Sequence, residues 1–145
     1  MIAGVFEEVN ADLKQLLKKG KIKPKPLMIC SGGTTSRCTA SGHWTLDLRE
    51  NYKEISFNPI DKTAYVGGGV SMGELLQELA KYNRTFPIGL SGQTGVGYIL
   101  TGGIGPLSRT KGLAVDQILQ IDGIWPNGMH FNISKPTSLS TIENK

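Results

Sequence analysis

Eleven of the chain's 19 glycines fall between Gly67 and Gly105, in the stretch GGGVSMGELLQELAKYNRTFPIGLSGQTGVGYILTGGIG. They form two clusters: Gly67, Gly68, Gly69 and Gly73, then Gly89, Gly92, Gly95, Gly97, Gly102, Gly103 and Gly105. Glycine costs backbone entropy on folding, so a folded chain uses it where φ must be positive or where something approaches the backbone closely. The second cluster is interleaved with Val96, Ile99 and Leu100, which points to backbone laid against a ligand. Bare N–H groups in such a loop make a concave anion site suited to phosphate. A second candidate is SGGTTSRCTASG, residues 31–42, directly after the apolar run Leu27–Cys30. Its glycines let the backbone close on a phosphate, and its Ser and Thr residues add donors. Taken alone, the same residues also fit an ordinary polar loop.

Two standard phosphate signatures are excluded. GxxxxGK[ST] occurs nowhere, and the sixth positions counted from Gly67, Gly95 and Gly103 are Met72, Leu100 and Ser108 rather than glycine. His43 and His130 have no acidic or nucleophilic partner by sequence and are read as structural or surface residues. Cys30 and Cys38 are too few for a disulfide framework and are not spaced as CxxC, so they read as a core residue and a loop thiol. No metal site and no catalytic residue is assigned.

The elements that must position these loops follow from periodicity. Val5, Phe6, Val9, Leu13, Leu16 and Leu17 predict an amphipathic helix over Val5–Lys19 with Gly20 as its cap. Leu27–Cys30 and Trp44–Leu48 read as strands. Lys53–Phe57 and Thr63–Val66 flank the turn Asn58–Asp61 as a β-hairpin. Ser71 caps a helix reaching Tyr82, with Glu74 at the capping-box position and Met72, Leu75, Leu76 and Leu79 on one face. Leu113–Asp116 is a short turn, Gln117–Asp122 a strand, and Pro126–Gly128 a tight turn into the strand Met129–Ile133.

At 145 residues, 39% hydrophobic and 19% charged, the chain suits one domain with a real core. The net charge of +4 is mild and gathers near Lys14, Lys18, Lys19, Lys21, Lys23 and Lys25. That cluster reads as a solvated helix end, with no aromatic residues interleaved as a nucleic-acid surface would have. No apolar run has transmembrane length and the N-terminus lacks a signal-peptide pattern, so a cytoplasmic protein without a membrane partner is expected.

With these pieces in order, the chain resembles the FAD-binding domain of the vanillyl-alcohol-oxidase/PCMH flavoprotein superfamily, in its berberine-bridge-type and sugar-oxidase branch. The matching motifs are SGGTTS at 31–36, TLDLRE at 45–50, TAYVGGGVSMGELLQEL at 63–79, FPIGLSGQTGVGYILTGGIG at 86–105 and SRTKGLAVDQI at 108–118. Each is weak alone; five in order, over roughly residues 27 to 133, are specific. The resemblance implies an α+β, PCMH-type fold of two small lobes with the dinucleotide between them. It implies an FAD-binding domain over 1–135, followed by a polar tail at 136–145.

It further implies that Ser31, Gly32, Gly33, Thr34 and Thr35 hold the pyrophosphate. Pro87, Gly89, Gln93, Thr94, Gly95, Gly97 and Tyr98 would line the diphosphate and the inner ring edge. Thr101, Gly102, Gly103 and Gly105 would let the dinucleotide lie close, with Leu113, Asp116 and Ile118 towards ribose and adenine. Tyr98 fits a flavin contact and a core aromatic equally, Asp116 reads first as a loop-fixing residue, and Arg109 either offsets phosphate charge or is solvated.

The departures from the family carry their own expectations. Many members bind flavin covalently through the His of Gly-Gly-His; that position is Thr34 here, and a second anchoring position lies near Ser91. Neither side chain can make the bond, so non-covalent FAD is expected. The family's opening strand and its substrate domain have no counterpart, which reads as truncation. The implied function is the FAD-binding domain of a flavin-dependent oxidoreductase that oxidises an alcohol-like or hydroxy-acid substrate by hydride transfer to flavin. The alternative is a non-catalytic or degenerate FAD-binding module.

Overall fold

The computed structural model describes residue 15, residues 18–21 and residues 25–136. The helix expected over Val5–Lys19 and the tail at 136–145 therefore lie almost wholly outside the described residues. Gly20, the expected cap, has φ +63°. The chain divides into two compact units, one formed by Lys25–Gln117 and the other by Met1–Pro24 with Ile118–Lys145.

Within Lys25–Gln117, β1 (Leu27–Cys30) pairs in parallel with β2 (Trp44–Asp47), Leu27 opposite Trp44 and Cys30 opposite Asp47. Parallel neighbours need a long connection, and here it is the segment 31–43, which contains the whole SGGTTS turn. Residues alternate across the pair: Cys30 is buried, while Leu27, Ile29 and Trp44 stay exposed on the other face. β3 (Ile55–Asn58) and β4 (Thr63–Val66) form the expected antiparallel hairpin. The strand starts two residues later than expected, at Ile55. Its turn is closed by side chains: Asn58 Oδ1 accepts from Ile60 N at 3.0 Å and Asp61 Oδ1 from Thr63 N at 3.0 Å.

Helix α1 (Met72–Ala80) packs Met72, Leu75 and Leu79 inward at three- and four-residue spacing, and these with Val70, Ile99 and Ala114 make the core. Phe57 of β3 meets Tyr82 just past the helix with ring centroids 4.6 Å apart. The capping box is formed in full: Ser71 Oγ accepts from Glu74 N and Glu74 Oε2 accepts from Ser71 N at 2.7 Å. After α1 the glycine stretch is not the continuous loop that the sequence reading had. It contains a single-turn helix, α2 (Gly97–Leu100), and is followed by a second, α3 (Ser108–Lys111), and a 3-10 turn at Ala114–Gln117. Gly103, at φ +69°, lies against Ala114, and that close approach is what lets α2 and the 3-10 turn share the core.

In the other unit, β5 (Gln120–Ile124) and β6 (His130–Ser134) form an antiparallel hairpin. β5 starts three residues and β6 one residue later than the sequence predicts, because Gln117 is drawn into the 3-10 turn and Met129 into the loop. The tight turn is as expected: Gly128 N donates to Trp125 O at 2.8 Å, with Gly128 at φ +85°. Trp125 and Phe131 stack at 4.4 Å.

The Lys53 ammonium bonds both Glu74 oxygens, at 2.5 and 2.7 Å, and with the Ser71 N–H holds the Glu74 carboxyl at about 2, below its ordinary 4.5. A folded-state value below the unfolded one means the contribution is complete above about pH 4.5 and lost as pH falls towards about 2. Lys53→Ala is therefore expected to move the acid-unfolding midpoint to higher pH, and an unchanged midpoint would count against this linkage. Ser71→Ala should cost about 1 kcal/mol in urea unfolding, the usual worth of an N-cap.

Candidate functional site

The first four N–H groups of a helix have no partner inside it, and α1 uses two of them to hold a loop. Met72 N donates to Thr94 O and Gly73 N to Gly92 O, both at 2.8 Å, and Ser71 pairs with Gly95 as an isolated bridge. The second glycine cluster is thereby hung on the start of α1. Its Gly95 is buried and lies directly against Gly32 of the SGGTTS turn; a Cβ on Gly95 would stand 2.8 Å from Gly32 Cα. Ser31 Oγ donates to Gly68 O at 2.6 Å. All three glycine-rich segments therefore converge at the C-terminal end of the parallel strand pair.

Beyond Gly32 the turn becomes exposed. Gly33 has φ +71°, and Thr35 Oγ1 lies 3.7 Å from the Cys38 sulfur. Thr35's N–H, then its hydroxyl, pull the Cys38 thiol below its ordinary value. An exposed glycine turn that carries the hydroxyls of Thr34 and Thr35 fits a phosphate group by the chemistry of its donors.

Beside this turn stands a cation that the sequence reading missed. Arg49 follows β2 in TLDLRE, and its Nη1 lies 2.6 Å from the position of a Cβ on Gly33. Asp47 grips the guanidinium through Nε and Nη2 at 2.5 to 3.1 Å, which holds the Asp47 carboxyl at about 2. A fork of this kind fixes the orientation of the guanidinium. The signal available was the parallel register, which brings the residues after β1 and β2 to one edge. The sequence alone did not give that pairing.

The other expected site residues divide by what they touch. Pro87 is buried, and Gly89 lies under the Tyr98 ring, whose hydroxyl donates to Ile104 O. Gln93 N donates to Ser91 Oγ at 3.2 Å and Thr94 Oγ1 to Ser91 O at 3.1 Å. Thr101 Oγ1 bonds back to Gly97 O and Tyr98 O within α2. Gly105 abuts the Ile88 carbonyl and Gly103 abuts Ala114, so these two glycines serve protein–protein packing. Gly97 and Gly102, by contrast, have no atom within 4 Å of an added Cβ and border open space. Asp116 Oδ2 accepts from Leu113 N at 2.9 Å and fixes that loop. Ile118 belongs to the other compact unit. Arg109 is exposed in α3, His43 Nδ1 lies 3.0 Å from Ser41 O, and His130 is exposed on β6.

Gly95→Ala should lower stability by about 1–3 kcal/mol, as overpacking does. Gly97→Ala should be neutral or slightly stabilising, because alanine is the better helix former. Urea titrations that ranked the two the other way would overturn the packing description.

Comparison with known proteins agrees with this geometry. The family described as "FAD binding domain" matches residues 5–134. Berberine bridge enzyme-like 23 of Arabidopsis thaliana is 38% identical over 90 residues, covering 60% of this chain and 17% of that protein. An uncharacterized FAD-linked oxidoreductase, YgaK, of Bacillus subtilis is 39% identical over 80 residues, 54% of this chain and 18% of its own. Among solved structures, 6-hydroxy-D-nicotine oxidase from Arthrobacter nicotinovorans superposes with a TM-score of 0.74 at 30% identity, covering 83% of this chain and 26% of the enzyme. Xylooligosaccharide oxidase from Myceliophthora thermophila, in complex with xylobiose, gives 0.71 at 28% identity, over 82% and 25%. The chain thus spans about a quarter or less of these relatives. Among the described residues no helix is long and apolar enough to cross a membrane. The α+β fold is that of these structures, and the chain belongs to the family of FAD-binding domains found in flavin-dependent, berberine-bridge-type oxidoreductases.

Proposed function

We propose that this chain binds FAD without a covalent link and forms the dinucleotide-binding part of an oxidoreductase acting on an alcohol-like or hydroxy-acid substrate. The observation that carries the reading is the convergence of three glycine-rich segments at the end of β1 and β2, with Gly32 against Gly95 and the Arg49 guanidinium beside Gly33. Ser31 to Thr35 would hold the pyrophosphate, and Arg49, held in place by Asp47, would offset its charge. Pro87, Gly89 and Gln93 to Tyr98 would line the diphosphate and the inner ring edge. Gly97 and Gly102 leave the open space that a dinucleotide lying close to the backbone requires. Thr101, Gly103 and Gly105 would shape that wall from behind, and Leu113, Asp116 and Ile118 would lie towards ribose and adenine.

Bound FAD supplies hydride acceptance; the residues here supply position and electrostatics. Non-covalent attachment is argued from Thr34 and Ser91. Both carry hydroxyls where a flavin anchor needs an imidazole nitrogen or a thiol, and Ser91 Oγ is already an acceptor for Gln93 N. The substrate and its acids and bases belong to whatever completes the active site.

Absorption between 300 and 600 nm, taken before and after acid precipitation with added FAD as control, tests the reading. Flavin bands that pass into the supernatant are expected. Colour retained in the pellet would overturn non-covalent binding, and no bands after incubation with excess FAD would overturn FAD binding by this chain. Arg49→Ala is expected to weaken FAD binding about tenfold, the scale of one lost charge-assisted contact. That loss should shrink as salt rises, and equal affinity at low salt would remove Arg49 from the site.

A further inference from the structure

The turn between β5 and β6, Trp125-Pro126-Asn127-Gly128-Met129, holds the chain's one Asn-Gly pair. All five residues are exposed. Gly128 N donates to Trp125 O and Trp125 N to Met129 O, both at 2.8 Å. Met129 N donates to Asn127 Oδ1 at 3.0 Å, while among the described residues nothing bonds the Asn127 Nδ2.

Three chemical conditions meet at this pair. The Met129 N–H polarises the Asn127 carboxamide and makes its carbon a better electrophile. The next backbone nitrogen belongs to glycine, with no Cβ to obstruct its approach. The amide nitrogen that must leave is open to water. Asparagine is chemically labile in proteins, and here its surroundings favour the reaction. We propose that Asn127–Gly128 is a modification site: in water and without an enzyme, its carboxamide passes through a cyclic imide to aspartate and isoaspartate, and the isoaspartate opens the β5–β6 turn.

The chain offers one rival, Asp122–Gly123, and the structure separates the two. Asp122 lies within β5, its carboxylate held by Asn132 Nδ2 at 2.5 Å and Gln120 Nε2 at 3.2 Å. Gly123 is paired with Phe131 in the ladder and lies under its ring. An ionised carboxylate is a poor electrophile, and a paired strand cannot swing its backbone nitrogen onto its own side chain. The other asparagines precede Ala11, Tyr52, Pro59, Arg84, Ile133 and Lys145, each with a side chain beside the nitrogen that would attack.

The chemistry balances with water as the only co-reactant. Gly128 N gives up its proton and attacks Asn127 Cγ; the N–C bond forms, the Cγ–Nδ2 bond breaks, and Nδ2 leaves with a proton as ammonia. Water then opens the imide. Attack at Cγ restores the ordinary main chain as aspartate. Attack at the main-chain carbonyl leaves Gly128 joined through Cγ, which is isoaspartate. One water enters, one ammonia departs, and nothing is oxidised or reduced.

The effect on the turn follows from its bonds. The imide nitrogen carries no hydrogen, so ring closure removes the Gly128 donor to Trp125 O. Isoaspartate then adds one carbon to the main chain inside the loop that Trp125 N and Met129 O close. Trp125 is fastened by these bonds and stacks on Phe131 at 4.4 Å. The turn therefore loosens at the residue that carries the stack. The site belongs to the other compact unit and is independent of FAD binding.

The test incubates the purified 145-residue chain for weeks in neutral and in mildly alkaline buffer. Peptide mass, released ammonia and methylation by an isoaspartyl methyltransferase follow the reaction. A Trp44→Phe background leaves Trp125 as the one tryptophan, so its emission follows the turn. Expected is a peptide containing residue 127 that is heavier by the difference between water and ammonia, with both isomers present. Trp125 emission should shift to the red as isoaspartate accumulates. Asn127→Gln, whose longer side chain closes a less favourable ring, should keep its mass and its emission. Earlier reaction at Asn51, Asn83, Asn132 or Asp122 would overturn the assignment, as would an Asn127 that reacts only after urea unfolding. Isoaspartate formed with unaltered Trp125 emission would overturn the opening of the turn.

Discussion

The contact between Gly32 and Gly95 is the constraint on which the rest of the Lys25–Gln117 unit depends. Two chain segments far apart in sequence meet backbone to backbone, with no side chain between them. Such an approach is open only to glycine on both sides. Each partner is fixed by something regular: Gly32 by the end of β1, and Gly95 by the loop carbonyls that the first turn of α1 holds. The helix N-terminus, often a phosphate site in its own right, is spent here on holding a loop.

Electrostatics at that edge rest on short local pairs. Asp47 neutralises Arg49 while fixing its direction, and both are exposed, so the pair adds little to stability by itself. Its use is positional: a guanidinium held against Gly33 stays where an anion would arrive. Lys53 and Glu74 do the same for α1, tying the segment before β3 to the capping box that orients the loop.

The sequence made some of this readable and hid the rest, for physical reasons. The capping box at Ser71 and Glu74, the β3–β4 hairpin and the Pro126–Gly128 turn were legible because each is a local rule over a few residues. The single-turn helix α2 inside the glycine stretch was not, because glycine has poor helix propensity and tertiary packing of Ile99 against Ala114 overrides it. The glycines divide the same way. From sequence, Gly103 and Gly105 look like the neighbouring Gly102; only coordinates separate those that admit backbone neighbours from those that border space. Arg49 was missed because its place beside Gly33 depends on the parallel register of β1 and β2, which no local pattern encodes.

That parallel register has a consequence for how the chain reaches its fold. An antiparallel hairpin can close as soon as its turn forms, as β3–β4 and β5–β6 can. The β1–β2 pair must first close the long segment 31–43, losing loop entropy before any ladder bond is gained. Its crossover is also the segment wedged against Gly95, which is itself held only once α1 exists. Assembly of the 31–43 turn is thus placed at the end of the folding order. A molecule that grips the turn acts on that last step, and its presence during synthesis would govern how much of the chain completes folding as well as how firmly the folded chain holds.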